Sequence, residues 1–474
     1  MIFEKISLCL YNLFCNMNYR IEHDFLGEKA IPANAYWGVH TQRALENFPI
    51  SGIKNHPDFI KAIAQIKAAV AKLCVNYNVF EEKLAKAIIK ASQEIFDGSL
   101  INQIVVDVFQ AGAGTSLNMN VNEVIANRAN ELLGNSLGSY NPVHPNDAVN
   151  FAQSTNDVIP TAMRISTIEL IKNLLKEGEL LAWSFNKKAK EFKNLIKSGR
   201  THLTDATPIR LGDEFLAYGI CIEKDLSTIK KVMTNLYYIG LSGSATGSGV
   251  NVPDFYKENI VDYLSKETGL SLKKAKSLYE AMQNQADFAH LMGALNSFSL
   301  NLFRITSDLR LLSSGPNTGL NEIKLPEVQA GSSIMPGKIN PSILEMFGMV
   351  CFYVSGMNQT VSMAVSAGQL ELNVFMPIIA NSTLTAIEYL TNAISVLRKK
   401  CIEGIEANKE VMEKYALTSL ALPTVLSPKL GYEKTADLVK EARRKNEDII
   451  KLLENKKVMT RKELLSFIKN HFKE

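Results

Sequence analysis

Long apolar runs are missing from this 474-residue chain. No stretch of about 18 uncharged apolar residues occurs, so a membrane-spanning helix is not expected. Cysteine is scarce. The six are Cys9, Cys15, Cys74, Cys221, Cys351 and Cys401, scattered and without a CxxC. The seven histidines neither cluster nor form an HExxH. A protein-ligated transition metal is therefore not expected. Free thiols fit a reducing, cytoplasmic compartment. A strong excess of one charge is also missing. The net charge is +4 and the pI about 8.5, too mild to mark a nucleic-acid or membrane surface. Internal repeats and low-complexity linkers are lacking, and so is the GxSxG of an α/β-hydrolase elbow.

What is present is the balance of a folded globular protein, 46% hydrophobic and 21% charged. The first sixteen residues, MIFEKISLCLYNLFCN, carry an apolar run but neither a basic start nor a small-residue cleavage site. They read as an upstream over-extension or a disordered arm rather than a secretory signal.

The fifteen prolines leave long proline-free stretches at 58–141, 161–207, 209–252, 254–315, 342–376, 378–422 and 429–474. A proline inside a helix costs ~3 kcal/mol, so these stretches are where long helices can form. In 286–312 the apolar residues recur every three and four positions, from Ala289 through Leu295 and Leu302 to Leu312. Leu170–Leu195 and Leu211–Tyr238 each read as one continuous helix. Helices of that length with more than one apolar side imply a bundle, or burial against other subunits. The punctuation suggests parts at 17–152 (mixed), 153–408 (long helices) and 409–474 (shorter helices).

Four segments dense in Gly, Ser, Thr and Asn interrupt this background. Gly112–Asn120 offers Thr115, Ser116, Asn118 and Asn120 beside glycines that admit close backbone approach. Read structurally, its Thr or Ser caps a helix starting near Met119. Gln153–Asp157 places Ser154, Thr155 and Asn156 just before a helix from about Ile159, with Asp157 as the expected cap and Pro160 in the first turn. Uncharged donors at a helix start suit a carboxylate. Gly199–Pro208 sets His202 beside Thr201. A lone histidine is more often structural than proton-transferring. Gly331–Pro341 is the most specific. Two glycines flank Ser332 and Ser333, and Lys338 and Asn340 follow before a helix after Pro341. Such a loop suits a mobile lid, with Lys338 available to hold a carboxylate.

Gly331–Pro341 resembles the signature of the aspartase/fumarase superfamily. The resemblance runs from Arg20 over almost the whole chain. It includes Ala35–Arg43, Asn118–Glu123, Gln153–Asp157 and Gly199–Pro208. Asp308–Pro316, Gly319–Ile323, Gly112–Ser116 and Thr155 resemble the aspartate ammonia-lyase branch. Ser242–Asn251 carries more serine than relatives show there. The resemblance implies a mainly α, three-domain fold with a central bundle of five long helices. Four copies would form a homotetramer with a twenty-helix core and active sites shared by three subunits.

The implied reaction is reversible elimination of ammonia from L-aspartate to give fumarate. By position in the motifs, Ser332 is the base, activated by Lys338 and backbone N–H groups. Glu345 pairs with His202. Thr115, Ser154, Thr155 and Ser333 hold the β-carboxylate. Thr201, Lys338 and Asn340 hold the α-carboxylate, and Asn156 and His202 face the amino group. No cofactor is implied, with Mg²⁺ activation left open. A class II fumarase is the second reading and a non-catalytic relative of the same fold the third.

Overall fold

The computed structural model describes residues 18–419, 422–445 and 447–471. The sixteen-residue N-terminal extension lies outside the described residues. The only sheets among them are two-stranded. β1 (Tyr19–Asp24) and β2 (Gly27–Pro32) form an antiparallel hairpin, as do β3 (Ile196–Thr201) and β4 (Thr204–Arg210). Everything else of any length is helical, as the 3.6-residue apolar spacing requires. In chain order the helices that matter here are α1 (Pro57–Asn76), α2 (Glu82–Phe96), α3 (Thr115–Leu132), α4 (Thr155–Glu191), α5 (Leu211–Met233), α6 (Ala286–Leu312), α7 (Ser342–Ser366) and α8 (Met376–Lys400). The last five have 37, 23, 27, 25 and 25 residues. They are the five long helices expected of the mainly α fold. None of the described helices is long and apolar enough to cross a membrane.

The ends of two long helices differ from expectation. The long helix starts at Thr155, not near Ile159, and ends at Glu191. The helix from Leu211 stops at Met233 and tightens into a single 3₁₀ turn, Thr234–Tyr237.

The described chain forms two compact units interleaved along the sequence. One comprises residues up to Asn173, Ile229–Asn296 and Val354–Glu388; the other holds Leu174–Thr228, Ser297–Tyr353 and Tyr389 onward. Each of the five long helices contributes residues to both.

In the first unit α1 packs on α2 and on the helix Asp254–Thr268, while α3 packs on α2. Most of α3 is buried, asparagines included. Buried amides are mostly hydrogen-bonded, and three of these bridge to a loop. Asn120 Nδ2 donates to the Gln103 carbonyl, and its Oδ1 accepts from the Val105 N–H. Asn127 donates to the Tyr36 carbonyl and accepts from the Gly138 N–H. Asn130 binds both the carbonyl and the N–H of Val143.

Glu123 does the same for the segment Ala35–Arg43. Its carboxylate accepts from the N–H groups of Gly38, His40 and Thr41 and from Thr41 Oγ1, at 2.6–3.1 Å. Burial pushes this carboxyl up to about 7 against those four donors. Gly38 must be glycine here. A Cβ would stand 1.9 Å from the Tyr140 hydroxyl and 2.6 Å from Glu22 Oε2.

In the second unit a small apolar core of Leu417, Leu426, Leu438, Leu453 and Leu464 closes around Ile196 at the start of β3. This anchors the β3–β4 hairpin. Glu123→Gln replaces an all-acceptor group by one whose NH₂ faces N–H donors. It is expected to lower stability by roughly 2–4 kcal/mol, read as a lower urea midpoint with an unchanged far-ultraviolet spectrum.

Candidate active site

Two helix starts meet in the first unit. α3 begins at Thr115, preceded by Gly114 at φ +86°, a left-handed geometry open to glycine. A Cβ on Gly114 would lie 3.0 Å from the Ile159 side chain in the second turn of α4, so the missing side chain lets the two helix starts approach. The helix expected from Met119 therefore starts one turn earlier, and no side chain caps it. Thr115 stands at its first position, with its hydroxyl 3.5 Å from the Gly112 carbonyl.

α4 is capped by Ser154 rather than by Asp157. Ser154 Oγ accepts from the Asn156 N–H at 3.2 Å, and Asp157 Oδ1 accepts from the Ser154 N–H at 2.9 Å. This is a reciprocal capping box with aspartate as the acid. Asp157 is buried, and its other oxygen accepts from the N–H groups of Ser242 and Ser244. Asn156 Nδ2 donates to the Ala245 carbonyl at 2.8 Å. The Gly/Ser loop 242–251 is thus hung on the first turn of α4. Two helix N-termini with Thr115, Ser154 and Thr155 at their mouths form a donor-rich cradle, of a kind that suits a carboxylate.

Beneath Thr155 lies a charge. Lys67 Nζ, on α1, donates to Asn118 Oδ1, Asn150 Oδ1 and Gln153 Oε1, each at 2.9 Å. Asn118 Nδ2 in turn donates to Thr155 Oγ1 at 3.2 Å. Lys67 is 1% exposed. Burial pushes its ammonium down to about 7 and the Asp157 carboxyl up to about 7, and the attraction between the two opposes both shifts.

In the second unit Thr201 ends β3, and His202 and Leu203 turn the hairpin at φ +58° and +57°. All three are exposed. The residue before them is fixed hard. Arg200 grips both carboxylate oxygens of Glu322 at 3.0–3.1 Å and lies over the Tyr415 ring. Glu322 is fully buried and also pairs with Lys197 at 3.3 Å.

The loop 331–341 is tied at its neck. The Gly331 N–H donates to the Lys338 carbonyl at 2.8 Å, and Asn340 Nδ2 donates to the Gly331 carbonyl at 2.6 Å. Inside it, Ser332 Oγ accepts from the N–H groups of Ile334 and Met335 at 3.2 and 3.0 Å. Ser333 and Lys338 are exposed. Glu345, in the first turn of α7, is 3.5 Å from Arg310. His202 forms no ion pair among the described residues, so within one chain Glu345 and His202 are not partners.

The structure thus brings Thr115, Ser154, Thr155 and Asn156 together. It places Thr201 with His202 on one hairpin, and Ser332, Ser333, Lys338 and Asn340 on one loop. No hydrogen bond among the described residues joins that hairpin to that loop. Sequence reasoning misses Lys67, Arg200 and Glu322. Glu322→Ala leaves the buried Lys197 and the half-buried Arg200 without their shared anion. It is expected to cost roughly 3–5 kcal/mol of stability, read as a fall in the urea midpoint, with Glu322→Gln intermediate.

Comparison with known proteins identifies the family. The profile of a family described as Lyase matches residues 27–356. An aspartate ammonia-lyase of Bacillus sp is 42% identical over 95% of this chain and 96% of its own. A fumarate lyase:delta crystallin from Brucella melitensis, solved bound to cobalt, superposes with a TM-score of 0.92 at 41% identity, covering 96% of this chain and all of that one. A class II fumarase from Schistosoma mansoni gives 0.90 at 34% identity over 96% of this chain and 99% of its own. The chain belongs to this lyase family, the one that joins aspartases with fumarases.

Proposed function

We propose that this chain is a carbon–nitrogen lyase that eliminates ammonia reversibly from L-aspartate to give fumarate. The observation that carries the reading is the fixed amide of Asn156. Its Nδ2 is committed to the Ala245 carbonyl. No donor among the described residues meets its Oδ1, which leaves an acceptor beside the carboxylate cradle. An ammonium group, all donor and positively charged, suits that oxygen better than a hydroxyl does.

In this reading Ser332 Oγ removes a proton from the carbon next to the β-carboxylate. The freed electron pair moves into that carboxylate and forms an aci-dianion. Thr115, Ser154 and Thr155 donate to its oxygens, with Ser333 completing the shell. Donors placed where charge develops contribute about 3–4 kcal/mol each on known oxyanion holes. Return of the electron pair forms the double bond and expels the amine, which leaves as ammonia. The two N–H groups that meet Ser332 Oγ favour its deprotonated form, which a serine base needs. Thr201, Lys338 and Asn340 hold the α-carboxylate, and His202 faces the amine with Asn156. The electron sink is the substrate itself, so the chemistry asks for no cofactor.

The same reading makes the enzyme a cytoplasmic homotetramer with sites shared by three subunits. The long helices support it. Trp183 on α4, Leu216 and Ile220 on α5, and Met349, Phe352 and Tyr353 on α7 are 42–68% exposed in one chain. They recur at three- and four-residue spacing, as interface stripes do.

Ultraviolet absorbance of fumarate tests the activity. Fumarate formed from aspartate supports the proposal. Fumarate from malate alone would make the chain a fumarase, and none from either a non-catalytic relative. Ser332→Ala is expected to lower kcat by about 10²–10⁴ while leaving assembly intact; near-parental turnover would remove Ser332 from its role. Refolding Ser332→Ala together with His202→Ala (if the latter is inactive) tests the shared site. With the two residues on different chains, random mixing restores about a quarter of the parental activity. No recovery in confirmed tetramers would place both residues on one chain.

A further inference from the structure

We propose that Lys67 is a positioning residue of the carboxylate cradle: through Asn118 it sets the polarity of the Thr155 hydroxyl so that its proton faces the substrate. This rests on the proposed role of Thr155 and adds a buried group that touches no substrate.

The argument is one of donors and acceptors. A lysine ammonium has three donors and no acceptor. Three amide oxygens, from Asn118, Asn150 and Gln153, take those donors at 2.9 Å each. That choice fixes each amide, because an amide with its oxygen on the ammonium must turn its NH₂ away. The outward groups are accounted for. Asn150 Nδ2 donates to the Gln153 carbonyl. Gln153 Nε2 donates to the carbonyls of Val149 and Phe151. Asn118 Nδ2 donates to Asn150 Oδ1 and to Thr155 Oγ1.

Thr155 Oγ1 is thereby an acceptor on its inner side. Its own proton has no hydrogen-bond acceptor among the described residues. It is left for whatever occupies the mouth between the two helix starts. Without the cation, the Asn118 amide can flip, place its oxygen against Thr155 and draw that proton inward. The cradle would then lose a donor without losing a side chain that lines it.

A merely structural lysine would lower stability without depending on Thr155. The distinguishing measurement is a double-mutant cycle on succinate binding, read by calorimetry on the assembled protein. Lys67→Met and Asn118→Ala are each expected to weaken succinate by about tenfold in the parent, the effect of losing one hydrogen bond to a charged group. In a Thr155→Ala background each is expected to change binding by less than about twofold, because the hydroxyl they orient is gone. Folding is followed separately by far-ultraviolet dichroism. If Lys67→Met does not fold, Lys67→Gln, which removes the charge but keeps a polar group on the amide oxygens, takes its place in the cycle. Equal weakening in both backgrounds, or no weakening by Asn118→Ala in the parent, overturns the proposal. The parent is assayed first. A parent that binds no succinate and forms no fumarate from aspartate overturns the proposed function, and this inference with it. A working parent whose effects multiply overturns the Lys67 role alone.

Discussion

Lys67 carries an ammonium into the interior of the first unit, where no water is needed to satisfy it because three amide oxygens do. Removing such a charge from solvent is costly unless every donor finds a partner. Meeting that demand dictates the loop before α4. Asn150 and Gln153 must be brought onto α1, which fixes where the chain enters α4 and so where Ser154, Thr155 and Asn156 stand. Asp157, the opposite charge nearby, does the same for the Gly/Ser loop by accepting from Ser242 and Ser244. The cradle is held less by packing than by two buried ions whose hydrogen-bonding requirements leave one arrangement open.

The mainly α architecture is legible in the sequence because apolar spacing over 25 residues and more admits little else. The polar residues of the cradle are legible too, since Gly, Ser, Thr and Asn cluster where the helical pattern breaks. The starts of α3 and α4 are misread by one turn for a common reason. The polar residues that look like a lead-in are already inside the first turn. For α4 the spacing of Ser154 and Asp157 carries the capping-box signature and could have placed the cap. Lys67 carries a signal as well: Ile63, Ala64, Val70 and Ala71, three and four positions away, are all apolar, so this lysine sits on the face the helix buries. Arg200 and Glu322, 122 residues apart, pair only through the fold and leave no local trace.

The segments that resemble the family do not all serve chemistry. Asn118–Glu123 contributes Asn118, and Asn122 through Asn150, to the neighbourhood of the cradle. Asn120 staples Gln103 and Val105, and Glu123 gathers the backbone of Gly38–Thr41. Ala35–Arg43 is the other half of that contact. A motif can therefore be specific because its side chains fit one another.

The neck of the 331–341 loop has a consequence for control. Ser332 and the two N–H groups that stabilise its oxygen belong to one tied-off ring of backbone. In the proposed role of Ser332 as base, these two N–H groups travel with the serine, so their support of its oxygen stays with the loop. In that proposal, docking of the loop sets how far Ser332 is from the proton it removes. Chemical strength and access are separable quantities under that proposal. Changes to the residues flanking the neck can alter how often the base arrives without altering what it can do on arrival, which gives turnover a control independent of the reaction's intrinsic barrier.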